Sequence, residues 1–393
     1  MTPIEAATVP GPAPVAPQQD TPPRVQTLPI RFTGSGSEYF RIWIVNLLLT
    51  LVTFSLYWPF ARARRIAYFQ NNTLVGDDPL GFHGDPWKMF RGYIVVMVLA
   101  IAYGALSETV PAVAAVLLLL FALVWPALWR ASLQFRLRNT SWRGVRMAFV
   151  GDLKGAYGAL LPFFVPALVL VLFLPDVASD EKPSPEASRR VLWVLGAVAV
   201  YTLAVLPWCF ARLKRYQHGS YLFAGERTEL RAGNGRFYGL LARVIGLLLL
   251  VVALVIGVVA LIAYSGGPGA RMLGFFAAIG VMYLLMPLIV VPYATVALQN
   301  LVWANTRTRH TRFRSELRFG TLFRLTLVNW LLIVCTLGLY WPFAQVRTAR
   351  ARLECMALQV KGDVDSWMAR AQVRQGGVLG DAAGDFFGID VGL

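Results

Sequence analysis

The sequence predicts an all-α polytopic membrane protein: repeated helical hairpins with six to eight membrane segments, basic cytoplasmic loops and two similar terminal segments. Three observations predict it. Hydrophobic residues make up 57% of the 393 and charged residues only 15%, too few to cover a soluble chain of this length. Apolar runs near the ~20 residues that cross a bilayer as a helix recur along the chain. Arg and Lys gather in alternate loops.

Residues 1–29 are rich in Pro and Ala and cannot bury enough surface to offset chain entropy, so they are expected to be a disordered tail. They carry no signal-peptide pattern. The membrane domain, 30–362, holds apolar segments at 42–60, 92–107, 112–129, 158–175, 191–211, 240–264, 272–298 and 324–343. The tail, 363–393, is rich in Gly and Asp. Loops 61–91, 130–157, 212–239 and 299–323 carry most of the cations, whereas 107–111, 176–190 and 265–271 carry few. The positive-inside rule makes the four basic loops cytoplasmic. The net charge of +16 then reflects topology and attraction to anionic head groups, with no need for nucleic acid. Segments 42–60 and 324–343 each have one end on a basic loop. Eight segments result if both cross, and six if both re-enter. The weak middles Thr50–Thr53 and Cys335–Gly338, with Arg347, Arg350 and Arg352 beyond, favour re-entry.

The terminal segments are copies. FRIWIVNLLLTLVTFSLYWPFARAR at 40–64 matches FRLTLVNWLLIVCTLGLYWPFAQVR at 323–347. A fainter repeat places Asn-Thr thirteen residues after a proline: Pro59 with Asn72 and Thr73, Pro126 with Asn139 and Thr140, Pro292 with Asn305 and Thr306. Pro207 before His218 is a looser fit. Each unit reads as an apolar helix, a proline, a basic amphipathic stretch, a turn and a short extended piece. Such repetition suggests the pseudo-symmetry common in transporters.

The stretch RFTGSGSEYFRIWIVNLLLTLVTFSLYWPFARARRIAYFQNNTLVG, the second copy TLGLYWPFAQVR and the terminus DFFGIDVGL resemble the YjgN family, bacterial inner-membrane proteins without an assigned activity. The resemblance covers residues 30–393 and implies a location, the multi-pass inner (cytoplasmic) membrane, but no chemistry. The first copy departs from the pattern, with Phe54-Ser55 where Leu337-Gly338 stands in the second.

Candidate residues follow from the copies. Tyr57, Trp58, Pro59 and Phe60, with Tyr340, Trp341, Pro342 and Phe343, set aromatics beside a helix-ending proline. That pattern anchors a helix at the interface or bends it to line a portal. Arg64 and Arg347, with Arg62, Arg65, Arg350 and Arg352, form basic clusters just beyond, where Arg can grip a phosphate or an anionic head group bidentately. Asn46 and Asn329 sit inside apolar segments, where an amide must find a protein partner. The Asn-Thr pairs most simply cap or turn the backbone. His83, His218 and His310 stand alone, and no cysteine spacing suits a metal. No catalytic constellation or cofactor motif is present. No Asp, Glu, Lys or His lies within an apolar segment, which lowers the proton-coupled classes. The reading is a channel- or transporter-like protein for a small solute or lipid. The alternative is a non-enzymatic scaffold that binds membrane lipids through a basic cytoplasmic face. A head-group enzyme using Asp77, Asp78, Asp85 or Asp152 ranks last.

Overall fold

The computed structural model describes residues 25–107, 111–173, 184–265 and 268–381. Strand β1 (Val25–Phe32) leads into α1 (Gly36–Val52) and, after a tight turn, α2 (Trp58–Asn71). The hairpin β2 (Thr73–Val75) and β3 (Asp78–Phe82) precedes α3 (Pro86–Ser107) and α4 (Pro111–Arg138). Next come β4 (Thr140–Trp142), β5 (Val145–Arg146), β6 (Ala148–Phe149), α5 (Leu153–Leu160), a 3-10 turn, α6 (Val165–Phe173) and α7 (Pro185–His218). Then follow β7 (Tyr221–Phe223), β8 (Glu226–Arg227), β9 (Glu229–Leu230), α8 (Asn234–Ser265), α9 (Pro268–Leu285), a π-helical segment and α10 (Val291–Trp303). The chain continues through β10 (Thr306–Arg307), β11 (Thr311–Ser315), α11 (Phe319–Cys335), α12 (Trp341–Leu353), β12 (Met356–Lys361) and α13 (Val364–Asp381).

The strands overturn the all-α expectation. Nine of them form one antiparallel sheet in the order β5-β4-β3-β2-β1-β12-β11-β10-β9, and β6-β7-β8 form a second. The sheets are joined through the chain itself. β5 runs into β6 past Met147, whose N–H bonds Thr140 O at 2.9 Å, and β8 runs into β9 past Thr228, whose N–H bonds Tyr221 O at 2.8 Å. Each bent strand pairs with one neighbour along its first half and another along its second. The hydrogen-bonded path therefore returns on itself as a ring. β1 and β12 close it, with Val25 opposite Lys361 and Pro29 opposite Ala357.

Alternation fills the ring. Along β12, Met356, Leu358 and Val360 are buried while Lys361 is exposed, the period-2 pattern of a half-buried strand. Ile30, Val75, Trp142 and Val145 join them from β1, β2, β4 and β5, and Phe313 packs in from β11. Helix α13 plugs the ring with Val364, Trp367, Met368 and Ala371, although its composition reads as a loose tail. Arg143 fixes it by bonding Asp365 at 2.6 Å while also binding Asp78. Side chains of the strands and of α13 meet there in one buried apolar cluster, as in small strand barrels whose interior is filled by side chains.

Helices lie along the expected apolar runs, but the runs at 42–60 and 324–343 are each broken by a turn, between α1 and α2 and between α11 and α12, and five described helical stretches are long and apolar enough to cross a membrane. Neighbours in sequence pack side by side around the ring, and α12 returns to α1. Their apolar surface is largely uncovered by protein: Trp193 on α7 is 79% exposed and Tyr283 on α9 78%. Strand β1 begins at Val25, inside the stretch that composition assigns to the N-terminal tail.

Candidate functional site

The Asn-Thr pairs end helices by one shared geometry. Asn72, Asn139 and Asn305 each donate from Nδ2 to the carbonyl four residues back, at 2.8, 2.8 and 2.7 Å. Thr73, Thr140 and Thr306 do the same from Oγ1 at 2.7, 2.8 and 2.8 Å. Two orphan carbonyls of the last turn are thereby satisfied, and the next residue is free to begin a strand. These residues serve the architecture.

The two copies also turn alike. Thr53 and Thr336 accept the amides of Tyr57 and Tyr340, both at 2.9 Å. Ser55 N bonds Thr50 O at 2.7 Å, and Gly338 N bonds Ile333 O at 2.8 Å. Ser55 takes φ +71° and Gly338 φ +92°. Glycine adopts this left-handed region without cost and serine does not. The first copy makes the same turn with a strained residue. Phe54 and Leu337 project from the tips, 90% and 95% exposed.

Beyond the turns, Pro59 and Pro342 start α2 and α12 and are fully buried. Tyr57 stacks on Phe60 at 5.5 Å, and Tyr340 on Phe343 at 5.3 Å. Arg64 lies over the Tyr57 ring at 5.7 Å, and Arg347 donates to Tyr340 Oη at 2.9 Å. Trp58 and Trp341 remain about half exposed. Asn46 and Asn329 are both buried, and the Oδ1 of each has no hydrogen-bond partner. Asn329 Nδ2 makes only long contacts, 3.5 Å to Ala344 O and 3.4 Å to Thr348 Oγ1.

Asn329 lines a cavity of about 430 Å³ between α2, α11 and α12. Arg65 and Arg352 form its cationic side, and Trp330, Ile333 and Trp341 its apolar side. Further cations gather nearby. Arg62 feels burial and the like charges of Arg136 and Arg65, and its guanidinium is pushed below its ordinary value. Burial does the same to Arg352, whose Nε reaches Gln299 Oε1 at 2.8 Å. Arg352 is nonetheless open to solvent, which places it in a recess. Among the described residues, none of Arg62, Arg65, Arg136 and Arg352 has a carboxylate within ion-pair distance. Desolvated charge without a counter-charge is costly, so the recess is suited to an anion. Arg65 on α2, Asn329 on α11 and Arg352 on α12, with Gln299 of α10 bound to Arg352, come from helices far apart in the chain, so the sequence does not join them as one set. Arg65 and Arg352 stand in the sequence among the juxtamembrane clusters able to hold a phosphate, whereas Gln299 carries no signal.

The histidines are not isolated in space. His83 meets Ser141 at 3.0 Å across β3 and β4. His218 is buried against Tyr221 and Trp303. His310 pairs with Glu226, 84 positions away. Among the described residues no cluster suited to a metal occurs.

Known proteins set these features in a family. The chain is 26% identical over 353 residues to the inner membrane protein YjgN of Salmonella typhimurium strain LT2, covering 85% of this chain and 89% of that protein. It is 28% and 30% identical to the proteins of that name from Escherichia coli O157:H7 and K12, over 36% of this chain and 35% of each. No solved structure matches. The model of a bacterial protein family of unknown function, DUF898, matches residues 27–386, so the chain belongs to that family and is a bacterial inner-membrane protein.

Proposed function

We propose that this protein is transporter-like and handles an anionic amphiphile, a lipid or lipid-like solute that enters sideways from the bilayer. The observation that carries this reading is the two-sided cavity. Arg65 and Arg352 suit a phosphate or carboxylate, Trp330 and Trp341 suit an acyl or ring system, and the unpaired Asn329 Oδ1 awaits a donor such as a hydroxyl. The apolar cluster inside the strand ring, with α13 across it, argues against a straight aqueous channel along its axis and favours a lateral route.

The proposed topology follows from the ring. β1 pairs with β2, so α1 and α2 leave from and return to one side. The same holds for α11 and α12 between β11 and β12. α1 has 17 residues, about 25 Å at 1.5 Å per residue, shorter than the ~30 Å hydrocarbon core. Apolar tips at Phe54 and Leu337 suit an end buried in lipid. We read two re-entrant hairpins, and six crossings by α3, α4, α5–α6, α7, α8 and α9–α10, with the ring in the cytoplasm. One unit used four times, with a fifth split between β12 and β1, accounts for the ring and for the repeated sequence.

The test uses the full chain in nanodiscs containing phosphatidylglycerol or phosphatidylcholine, with native mass spectrometry as readout. Arg65→Ala/Arg352→Ala is expected to retain about tenfold less phosphatidylglycerol, equivalent to ~1.4 kcal/mol. Equal retention by variant and parent would sink the reading. Retention without movement of a labelled anionic lipid across proteoliposomes would favour the scaffold alternative instead.

A further inference from the structure

A second concentration of positive charge lies on the outer wall of the strand ring, away from the lateral cavity. Period-2 alternation turns Arg312 and Arg314 of β11 outward, while Phe313 between them packs into the core. Arg307 of β10 stands directly opposite Arg312 in the ladder. Arg312 stands opposite Gln359 of β12, and Lys361 opposite Val25. The turn between β10 and β11 adds Arg309. Like charges facing each other across an antiparallel pair are destabilising, so the Arg307–Arg312 juxtaposition is a poor choice for folding alone.

The nearby carboxylates do not relieve it. Glu229 lies opposite Arg307, but it is engaged by Arg231 at 3.2 Å. Glu226 is engaged by His310, and hydrogen bonds from Thr308 and His310 to that carboxylate outweigh the effect of its burial. Among the described residues, Arg307, Arg309, Arg312 and Lys361 have no ion pair. Arg307, Arg309, Arg312 and Lys361 border a cavity of about 440 Å³. An adjoining cavity of about 500 Å³ shares Arg309, His310 and Lys361 and adds Arg370 from α13 and the carboxylate of Asp363, which accepts from Ser366 N at 2.8 Å.

We infer that this wall binds a soluble oligophosphate, such as inorganic triphosphate or the phosphate chain of a nucleotide. The arginines supply forked donors that match phosphate oxygens two at a time. Their spread over β10, β11 and the intervening turn suits several linked phosphates better than one. The wall lies on strands that run away from the helices, and the turn at 308–310 and the end of β12 at Lys361 are the parts of those strands farthest from α10 and α12 along the chain. A free cytoplasmic ligand is therefore the source this placement favours over a head group of the host bilayer.

The experiment uses the full chain in nanodiscs of phosphatidylcholine, titrated calorimetrically with sodium triphosphate, with ATP and with inorganic monophosphate. Triphosphate is expected to bind, and monophosphate at least tenfold more weakly. Arg307→Gln/Arg312→Gln is expected to weaken triphosphate at least tenfold. The same variant should melt at a higher temperature than the parent without ligand, because the facing charges are gone, and should lose the upward shift that triphosphate gives the parent. That pair of thermal results keeps the test readable where calorimetric heats are small. Binding of ATP but not triphosphate would overturn the phosphate-chain reading. So would triphosphate binding that is equal in parent and variant, or absent in both. In parallel nanodiscs containing phosphatidylglycerol, a variant that keeps triphosphate but retains less phosphatidylglycerol than the parent would place the anion source in lipid and overturn the proposal. Arg65 and Arg352 are untouched by these substitutions, so the lateral cavity stands or falls separately.

Discussion

The strand ring and the helices above it are built on opposite principles. Ring residues such as Val145 and Val360 are fully buried, in an interior supplied by strands from both ends of the chain. The window that makes α7 membrane-competent is only 6% buried within the protein. Folding of the ring is therefore driven by water leaving apolar side chains, whereas the helices rely on lipid as their solvent. The difference teaches where stability and function separate. The ring fixes the positions of the helix ends, and the weakly covered helices are left free to form cavities between themselves.

The strongest way to break this comparison is to mutate a tryptophan in each region. Trp142→Ala is expected to cost about 3–5 kcal/mol, the usual range for emptying a core site of that size. Trp193→Ala on the exposed face of α7 should change stability by under ~0.5 kcal/mol. Melting of the detergent-solubilised protein reads both, and equal losses would show that ring and helices share one core.

A smaller effect sharpens the contrast between the two terminal hairpins, α1–α2 and α11–α12. Ser55→Gly relieves a left-handed serine and is expected to stabilise by about 1 kcal/mol. Gly338→Ser should lose a similar amount at the matching site. A null result for both would mean the turns relax in lipid to another geometry.

Accessibility tests the placement of the ring. Single cysteines at the exposed positions Thr27 and Ala369, in a cysteine-free background, should resist a membrane-impermeant maleimide in intact cells and react after permeabilisation. Labelling of both in intact cells would reverse the orientation, and labelling of one would break the ring.

The smallest expected effect concerns pH. The Glu226 carboxyl is held below its ordinary value of 4.5. Its contribution to stability is thus present above that value and lost as pH falls through the folded value. The melting temperature should hold steady from pH 7 to 5 and then decline, and Glu226→Gln should remove part of that decline. An unchanged acid limb in the variant would assign the decline to other groups.

Legibility in the sequence followed length and period. The apolar runs were visible because ~20 residues of one character are hard to mistake, and the paired copies at 40–64 and 323–347 were visible by identity. The short extended piece in each unit was legible as an element, but its pairing was not. Strands of two to five residues carry too little alternation to distinguish a strand from a loop. The Asn-Thr pairs announced a structural role by recurring after a proline. The recess was legible only in part: Arg65 and Arg352 stand in juxtamembrane clusters able to hold a phosphate, but nothing joins them to each other or to Asn329 until their helices converge.

By itself the sequence determined the inner-membrane location, the alternation of basic and neutral loops and the likeness of the two terminal hairpins. Each of these is a property of composition or local pattern, and local pattern survives without a fold. Only the tertiary structure decided that the basic loops close into a ring and that α13 plugs it. Those facts depend on pairings between residues hundreds of positions apart, such as Val25 with Lys361. Pairing is chosen by the burial of all the strands together, a cooperative quantity that no single segment carries.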